Sequence, residues 1–404
     1  MMENLTTVLR RTRRRVPKEK NGFLKLFVSK RLIHGAAAAL LGIFVPIFLY
    51  EVTGERFYVV GLFYALLSFL YVLMLVPAMA VTNRLGFSRT LVLGGACSVL
   101  LYLLLMLMNA DNYLIILPFL TIAIVAFRLF HWVPYHVDFA LFTSKGERGR
   151  QVSLSFATIA FMGVIGPILA GFIIENTSYQ ALFGVAVALL IAATISYGFV
   201  PETPTRFTWS YRQTLANMFS RKYTGMTLGE FANGAEVVVT IVVWPIFLYE
   251  ILNGDVFEIG AVSTVIVGVT IVLQLLVGRY LDAREGNHER TLKVGSTLYA
   301  LGWVFKIFVL STAQVFFVGL YHNIVKIFTH TPFSAILYDM SADQGRYVDE
   351  FTVMREMAGH SGRAFGLVAV AILSLYIPIG WTFLIAALAS LALNMVYRAS
   401  AEVR

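Results

Sequence analysis

Long apolar segments alternate with short polar connections along almost the whole chain. A helix that crosses the hydrocarbon core of a bilayer needs about 20 apolar residues. Several of the segments contain Gly or Pro, as tilted or kinked membrane helices do. The pattern predicts twelve membrane-spanning helices, at 32–50, 57–81, 89–108, 113–141, 152–175, 180–200, 224–250, 257–280, 291–310, 314–339, 350–376 and 378–397.

The first and seventh segments end in the same six residues, because Pro46–Glu51 and Pro245–Glu250 both read Pro-Ile-Phe-Leu-Tyr-Glu. Three weaker similarities follow in the same order along the two halves. They pair 83–89 with 282–286, Arg128–Pro134 with Lys326–Pro332, and Glu147–Arg150 with Asp343–Arg346. Internal repeats are typical of transporter folds. We therefore predict an all-α integral membrane protein whose twelve transmembrane helices form two pseudo-symmetric six-helix bundles.

This prediction divides the chain into five parts. The longest interior connection joins the two halves, and within it Gln213–Ser220 is either a short interfacial helix or unstructured. The parts are a basic cytoplasmic segment (1–31), an N-terminal bundle (32–200), a cytoplasmic linker (201–223), a C-terminal bundle (224–398) and a cytoplasmic tail (399–404).

Composition agrees with a membrane protein. The chain is 58% hydrophobic and 14% charged, whereas a soluble domain has about 25% charged residues. Its single cysteine, Cys97, excludes an intramolecular disulfide framework.

Basic residues occur in alternate connections and crowd the N-terminus, where Arg10–Arg15 contains five arginines. Because cytoplasmic loops carry an excess of Lys and Arg, both termini are predicted to be cytoplasmic. We expect the N-terminal arm to lie on anionic lipid rather than to bind nucleic acid. The compact size and short loops favour a plasma membrane, of the bacterial inner-membrane type.

Three motifs resemble those of the major facilitator superfamily of secondary transporters. The loop at Asn83–Arg89 is similar to the signature between spans two and three, with Arg84 and Gly86 as its best matches. Glu147–Arg150 resembles the basic loop after span four, and Gly163–Gly171 resembles the Gly-Pro signature of span five, with Gly166 and Pro167 at its centre. The resemblance implies two bundles that rock about a central site and expose it to each side in turn.

The resemblance also implies ion-pair latches at the cytoplasmic ends of the bundles. Asn83 replaces the usual acid of the first latch, while the second half keeps Asp282. Asp339 stands where the family has an acidic partner at the end of span ten. The residues expected to serve gating or packing are Arg84, Gly86, Arg148, Gly166, Pro167, Asp282, Asp339 and Arg346.

Ionisable side chains inside a bilayer cost roughly 2.5–3.5 kcal/mol each on insertion scales, so they need a partner or a use. Arg128 and Lys326 lie about halfway along spans four and ten. On the family analogy they face each other across the cavity and clamp an anionic group of the substrate. The alternative is that neighbouring helices neutralise them, for example Lys326 by Glu236. The candidate substrate-binding residues are Arg128, Lys326, His131, His330, Glu236, Asn233 and Tyr135.

Acidic and histidine side chains in the spans could also carry protons. Glu356, His360 and Arg363 share one helical face, as do Glu230, Asn233 and Glu236. The candidate proton-coupling residues are Glu230, Glu236, His322, Glu356 and His360. The alternative is a network that only stabilises the bundle.

These observations favour a proton-coupled secondary transporter of a small anionic or polar organic solute, which we expect to be a monomer. A proton-linked exporter of amphipathic drugs or cations is the first alternative, and a receptor or scaffold on the same fold is the second. The sequence has no nucleophile–base pair, ATP-binding loop or metal-ligand spacing, so we expect neither an enzyme nor a cofactor or metal.

Overall fold

The computed structural model describes residues 22–142, 148–202, 206–281, 288–342 and 348–397, and these residues are helical and contain no strand. A short helix, Tyr211–Met218, lies in the connection between the two halves, as one of the two sequence interpretations has it. The long helices are α1 (Gly22–Val52), α2 (Phe57–Leu85), α3 (Phe87–Leu107), α4 (Tyr113–Phe142), α5 (Arg148–Asn176), α6 (Tyr179–Tyr197), α7 (Thr224–Ile251), α8 (Val256–Leu281), α9 (His288–Ile307), α10 (Thr312–Ala342), α11 (Val348–Leu373) and α12 (Ile379–Val396).

Nine helices in the described part of the chain, α1 to α8 and α12, are long and apolar enough to cross a membrane. The other three carry ionisable groups along their length, and these lower their mean hydropathy. The groups are Lys306 in α9, His322, Lys326 and His330 in α10, and Arg355, Glu356, His360 and Arg363 in α11. Length and composition alone therefore do not identify α9, α10 and α11 as spans, and the count of twelve stays a prediction.

The repeated hexads explain a bend that α1 and α7 share. Pro46 and Pro245 have no N–H to donate to the carbonyl four residues earlier, which belongs to Gly42 and Ile241 respectively. Helix α1 is interrupted at residues 42–43, and α7 has a π-helical segment at Val239–Val243. Each hexad thus forms a tilted end segment that continues beyond the distorted turn.

Helix packing follows the same order in the two halves. In the first half, α3 packs against α4 and α6, α1 packs against α5 and α6, and α2 packs against α4. In the second half, α9 packs against α10 and α12, α7 packs against α11 and α12, and α8 packs against α10. The halves meet where α2 contacts α11, where α5 contacts α8, and at the hexad ends of α1 and α7.

Small residues allow several of these helices to approach closely. A Cβ atom added to Gly166 would lie 2.6 Å from the backbone of Ala39 in α1, so only glycine fits there. At the interface between the halves, Gly260 of α8 packs directly on the carbonyl of Pro167 in α5. Neighbouring helices therefore approach the Gly-Pro run of α5 closely on two sides.

The linker between the halves is held by side chains from both of them. Asn83, which stands in place of the family's acid, donates to the carbonyl of Phe207 (2.7 Å) and accepts from its N–H (3.1 Å). Thr208 donates its hydroxyl to Glu350 at the start of α11 (2.7 Å). Glu202 accepts from the backbone N–H groups of Phe87 and Ser88 and so caps α3.

Candidate transport site

A cavity of about 210 Å³ lies beside Arg128, roughly midway along α4. Its wall contains Tyr64 of α2 and Tyr102 of α3, together with apolar residues of α1 and α4. Ile241 of α7 also lines it, so both halves of the chain contribute to the wall. Arg128 is half-buried and is the cationic residue of this lining.

A second arginine, Arg363, acts on Arg128 from the other half of the chain. The two guanidinium groups interact electrostatically, and Arg128 also interacts with Tyr64 and Tyr71. Arg363 lies on α11, which packs against α2. Two like charges at the meeting of two half-structures repel each other unless an anion lies near them.

Arg363 belongs to a polar group on α11 that extends to α2. Its Nη1 atom lies 3.0 Å from His360 Nε2, and the His360 ring stacks on Tyr71 with a centroid distance of 3.9 Å. Glu356 lies 3.9 Å from His360 Nε2 and accepts a long hydrogen bond from Tyr71 Oη (3.4 Å). The shared helical face predicted for Glu356, His360 and Arg363 is therefore observed, and it connects to Arg128.

Lys326 occupies different surroundings from Arg128. It interacts electrostatically with the fully buried carboxylate of Glu236 and with His330. Glu236 Oε1 accepts hydrogen bonds from Tyr299 Oη (2.7 Å) and Thr240 Oγ1 (2.8 Å), and Glu236 Oε2 lies 3.7 Å from His330 Nε2. Lys326 therefore interacts with an opposite charge, Glu236, in keeping with the neutralisation alternative. Arg128 instead interacts with a like charge, Arg363.

Glu230 and Asn233, which share a helical face of α7 with Glu236, form a separate cluster with Arg355 of α11. Glu230 Oε1 accepts two hydrogen bonds from the Arg355 guanidinium, from Nη2 at 2.7 Å and Nε at 2.8 Å. Asn233 Nδ2 donates to Glu230 Oε2 at 3.2 Å. This bidentate ion pair holds α7 against α11.

His131 and Tyr135 lie away from the described cavity, in a buried cluster of α1, α4 and α6. The His131 ring stacks on His34 with a centroid distance of 4.8 Å and is fully buried. Tyr135 lies under the cations of Lys30 and Arg31, at 5.6 and 5.1 Å. In this conformation neither candidate residue lines the cavity, and their role in binding a substrate stays a prediction.

His322 is buried among aromatic rings of α9, with centroid distances of 4.4 Å to Tyr299 and 4.6 Å to Trp303. Lys306 lies 3.9 Å above the ring of Trp244 and 4.1 Å above that of Trp303. His322 therefore connects to the Glu236 cluster through Tyr299 rather than by an ion pair.

The structure describes the side chains of only some of the gating candidates. Arg84 is exposed, and Gly86 has a φ of 89° and faces the Glu202 carboxylate, which leaves no room for a Cβ atom. Asp282 and Arg346 lie outside the described residues. Arg148 and Asp339 lie in described helices, but their side chains are not among those described.

Sequence reasoning missed several residues of these clusters. Tyr64 and Tyr71 are separated by two helical turns on one face of α2, and that spacing was a usable signal. Lys30 was assigned to the basic cytoplasmic arm, yet it lies in α1, 6% exposed and 4.6 Å above Trp132. Among the described residues there is no group of three His, Cys, Asp or Glu side chains suited to a metal ion.

Comparison with known proteins agrees with this architecture. Residues 31–224 match the family model described as Major Facilitator Superfamily. This match spans just under half of the chain and, with the fold of the similar structures, supports a secondary transporter of the major facilitator superfamily. Members of this superfamily are multi-pass membrane transporters rather than enzymes, so the chain is a transporter of this class. No protein with a curated function matches the sequence.

Solved structures of similar fold cover nearly the whole chain. A POT family transporter in complex with 5-aminolevulinic acid has a TM-score of 0.66 and 10% identity, over 93% of this chain and 95% of that one. The peptide transporter POT, in complexes with alafosfalin and with sulfate, has a TM-score of 0.65 and 9% identity, over 95% of this chain and 94% of that one. At this identity the likeness establishes the fold, and those chains bind small molecules.

Proposed function

We propose that the protein carries a small organic solute with an anionic or polar group across the membrane by alternating access, coupled to protons. The observation that carries this proposal is Arg128 in the wall of a cavity that both halves line, with Arg363 of the other half acting on it electrostatically. A substrate carboxylate or phosphonate between them would remove their repulsion, and each guanidinium offers a fork of donors to such a group.

The ligands of the similar structures are consistent with this class of substrate. The complexes contain 5-aminolevulinic acid and sulfate, and both carry an acidic or anionic group. Arg128 in the cavity wall, with Arg363 acting on it, disfavours the alternative of an exporter of amphipathic cations, because a cationic drug would add another positive charge there.

Alternating access requires two bundles that move as units, here 32–200 and 224–398, with 201–223 as the linker. The repeated order of helix contacts in the two halves supports twelve spans in two pseudo-symmetric bundles. We place both termini in the cytoplasm of a plasma membrane, with the basic residues that precede α1 on anionic lipid and the tail 399–404 on the same side, and we propose a monomer.

Proton coupling is proposed for the group next to the arginines. Glu356 is partly exposed and interacts with His360, which in turn contacts Arg363. A proton on Glu356 removes the negative charge nearest to Arg363 and leaves more of the guanidinium's charge for the substrate. Glu230 pairs with Arg355, and Glu236 and His322 belong to the Tyr299 cluster, so we rank them behind Glu356 and His360, which connect to Arg363.

Uptake into proteoliposomes tests the solute class. Purified protein is reconstituted into vesicles with an alkaline interior, and accumulation of labelled 5-aminolevulinic acid is measured against a panel of organic anions, sugars and amphipathic cations. We expect an anion to accumulate only while the pH gradient exists. In matched vesicles with an acidic interior, accumulation of a cation alone, driven by proton exit, would establish the exporter instead. Binding without flux would favour a receptor.

Substitutions then test which residues bind the solute and which couple its movement to protons. Arg128→Gln and Arg363→Gln should each abolish uptake while the thermal unfolding temperature and elution volume stay unchanged. Arg212→Gln, at an exposed position of the linker helix, is the matched control and should retain full uptake. Glu356→Gln should still bind the solute but no longer acidify the vesicle lumen in step with its movement. Unchanged uptake in Arg128→Gln would remove the clamp.

A further inference from the structure

The two copies of the repeated hexad meet at the ends of α1 and α7. Tyr50 Oη donates a hydrogen bond to Glu250 Oε1 at 2.7 Å, so the tyrosine of the first copy binds the carboxylate of the second. Tyr249 of the second copy in turn interacts with the carboxylate of Glu51 in the first. The two tyrosine rings lie edge to face, with centroids 6.1 Å apart. We call these four residues the Tyr–Glu clasp.

The clasp joins the two halves of the chain, because each of its carboxylates receives a phenol from the opposite half. Glu51 has a further partner in its own half, since Tyr179 Oη of α6 donates to its Oε1 at 3.0 Å. The proline of each hexad bends the helix ahead of the Tyr-Glu pair and turns the end segment. The Tyr-Glu pair that both hexads contain therefore forms one reciprocal contact between the two halves.

Water can reach this contact from one side of the protein. A cavity of about 540 Å³ includes Tyr50 and Glu250 in its wall, and Glu250 is exposed. The excess of Lys and Arg in the alternate loops places this end away from the cytoplasm. A proton from the outer medium therefore has a path to the Glu250 carboxylate.

The charged groups around the clasp are mostly acidic. Besides its tyrosines, Glu51 interacts with Glu55, and so does Glu250. Arg56 lines the same cavity as Glu55 and Glu250 and is the cation of that lining. Three ionised carboxylates with one cation repel one another, and this repulsion favours the binding of a proton by one of them.

We infer that Glu51 and Glu250 form a paired proton-binding site that controls the opening of the outer end between α1 and α7. A phenol binds an ionised carboxylate about twice as strongly as a neutral acceptor. The ionised pair therefore holds the two end segments together, and protonation from outside weakens both contacts and lets the halves separate. This inference rests on the proposed alternating access, and it adds a second proton site to the group at Glu356.

A distance measurement between spin labels tests the inference without any solute. Labels are attached to Asp111→Cys and Ala313→Cys, exposed positions in corresponding outer loops of the two halves, on a Cys97→Ala background in lipid nanodiscs. Pulsed electron paramagnetic resonance gives the distance distribution at pH 8 and pH 5. We expect the population of the longer distance to increase about fivefold or more on acidification, as the loss of one charge-assisted contact implies.

Substitutions assign the response. The double variant Glu51→Gln/Glu250→Gln carries neutral acceptors, so the longer distance should be raised at both pH values and the pH response should be lost. Tyr50→Phe/Tyr249→Phe removes the donors and should give the same loss of the pH response. This variant serves as the test if the glutamine variant does not fold. Glu55→Gln removes a neighbouring carboxylate outside the clasp and should keep a pH response, with its midpoint at lower pH because one repelling charge is gone.

Two results would overturn the inference: distances that do not change with pH in the labelled parent, or a pH response that persists in both double variants. Neither depends on uptake. A pH-dependent opening without solute flux would contradict the proposed function and leave the clasp in place. Proton-coupled uptake together with a distance that does not change with pH would support the proposed function and contradict the inference about the clasp.

Discussion

His131 and His330 lie in corresponding segments of the two halves, three residues after Arg128 and four residues after Lys326, yet their surroundings differ in kind. His131 stacks on His34 and contacts the rings of Phe127 and Tyr197, and its ring nitrogens have no hydrogen-bond partner among the described residues. His330 lies 3.7 Å from the Glu236 carboxylate, which also binds Tyr299. The repeat thus places a histidine in corresponding segments of α4 and α10, one residue apart in register, and the neighbouring helices determine its chemistry.

The buried lysines repeat this contrast. Lys30 and Lys306 both lie over tryptophan rings, at 4.6 Å in the first half and 3.9 Å in the second. Lys306 also interacts with the Glu236 carboxylate, whereas the charged group that acts on Lys30 is another cation, Arg31. Lys30 in the first half is thus stabilised by an aromatic face, and the second half adds a carboxylate near Lys306.

The largest effect should come from removing that carboxylate. Glu236→Ala leaves Tyr299 Oη without its acceptor and removes the negative charge beside Lys326, Lys306 and His330. Breaking a buried ion pair on one side typically costs about 3–5 kcal/mol. We expect a loss of that size in the free energy of unfolding, measured in mixed micelles by titration with a denaturing detergent. Glu289→Ala, at the exposed end of α9, is the matched control. A loss below about 1 kcal/mol in Glu236→Ala would mean that the cluster needs no central carboxylate.

The next effect concerns the packing of corresponding helix pairs, α1 with α5 and α7 with α11. A Cβ atom at Gly362 would overlap the carbonyl of Phe231, and one at Gly166 would lie 2.6 Å from the backbone of Ala39. Overpacking of this kind costs about 1–3 kcal/mol, so Gly362→Ala and Gly166→Ala should each destabilise the protein by that amount. Gly184, whose added Cβ would meet nothing within 4 Å, is the control. Gly184→Ala should be neutral or stabilising, because alanine favours a helix over glycine. Equal losses at all three positions would show that helix packing is not the cause.

Much of the fold was predictable from the sequence because its signals are local. Apolar length located the helices, and the Pro-containing hexads located the equivalent bends of α1 and α7. The Gly-Pro run located the close contacts of α5 with α1 and α8. The number of spans was harder to establish, since α9, α10 and α11 carry the ionisable groups that a hydropathy criterion rejects.

The site was only partly predictable, because a membrane helix is apolar both where it faces lipid and where it faces protein. Periodicity therefore did not indicate which face of α4 meets the cavity. Arg128 lines it, whereas His131 and Tyr135, about one and two turns further along, point into the buried cluster around Lys30. The pairing of Arg128 with Arg363 depends on the contact of α2 with α11, which only the tertiary structure gives.

A smaller effect would test the two histidines directly. His131→Phe replaces a ring with no described hydrogen-bond partner by an apolar one, so stability should change by less than about 1 kcal/mol, or rise. His330→Phe removes a polar group facing Glu236 and should cost about 1–2 kcal/mol. Thermal unfolding of the two variants gives the comparison. Retained stability with complete loss of uptake in His131→Phe would instead return that residue to the substrate path.

The smallest predicted effect tests whether an exposed ion pair contributes less to stability than the buried charges around Glu236. Lys293 and Glu289 form a hydrogen-bonded ion pair of 2.7 Å, one helical turn apart on α9, but their side chains are 60% and 47% exposed. Water already solvates both groups, and an exposed pair of this spacing contributes about 0.3–0.5 kcal/mol. Lys293→Ala should therefore lower the free energy of unfolding by no more than about 0.5 kcal/mol, and less at high salt, in the same detergent titration used for Glu236→Ala. A loss comparable with that of Glu236→Ala would mean that ion pairs on this helix matter whether or not they are buried, and the contrast between the two halves would then lose its physical basis.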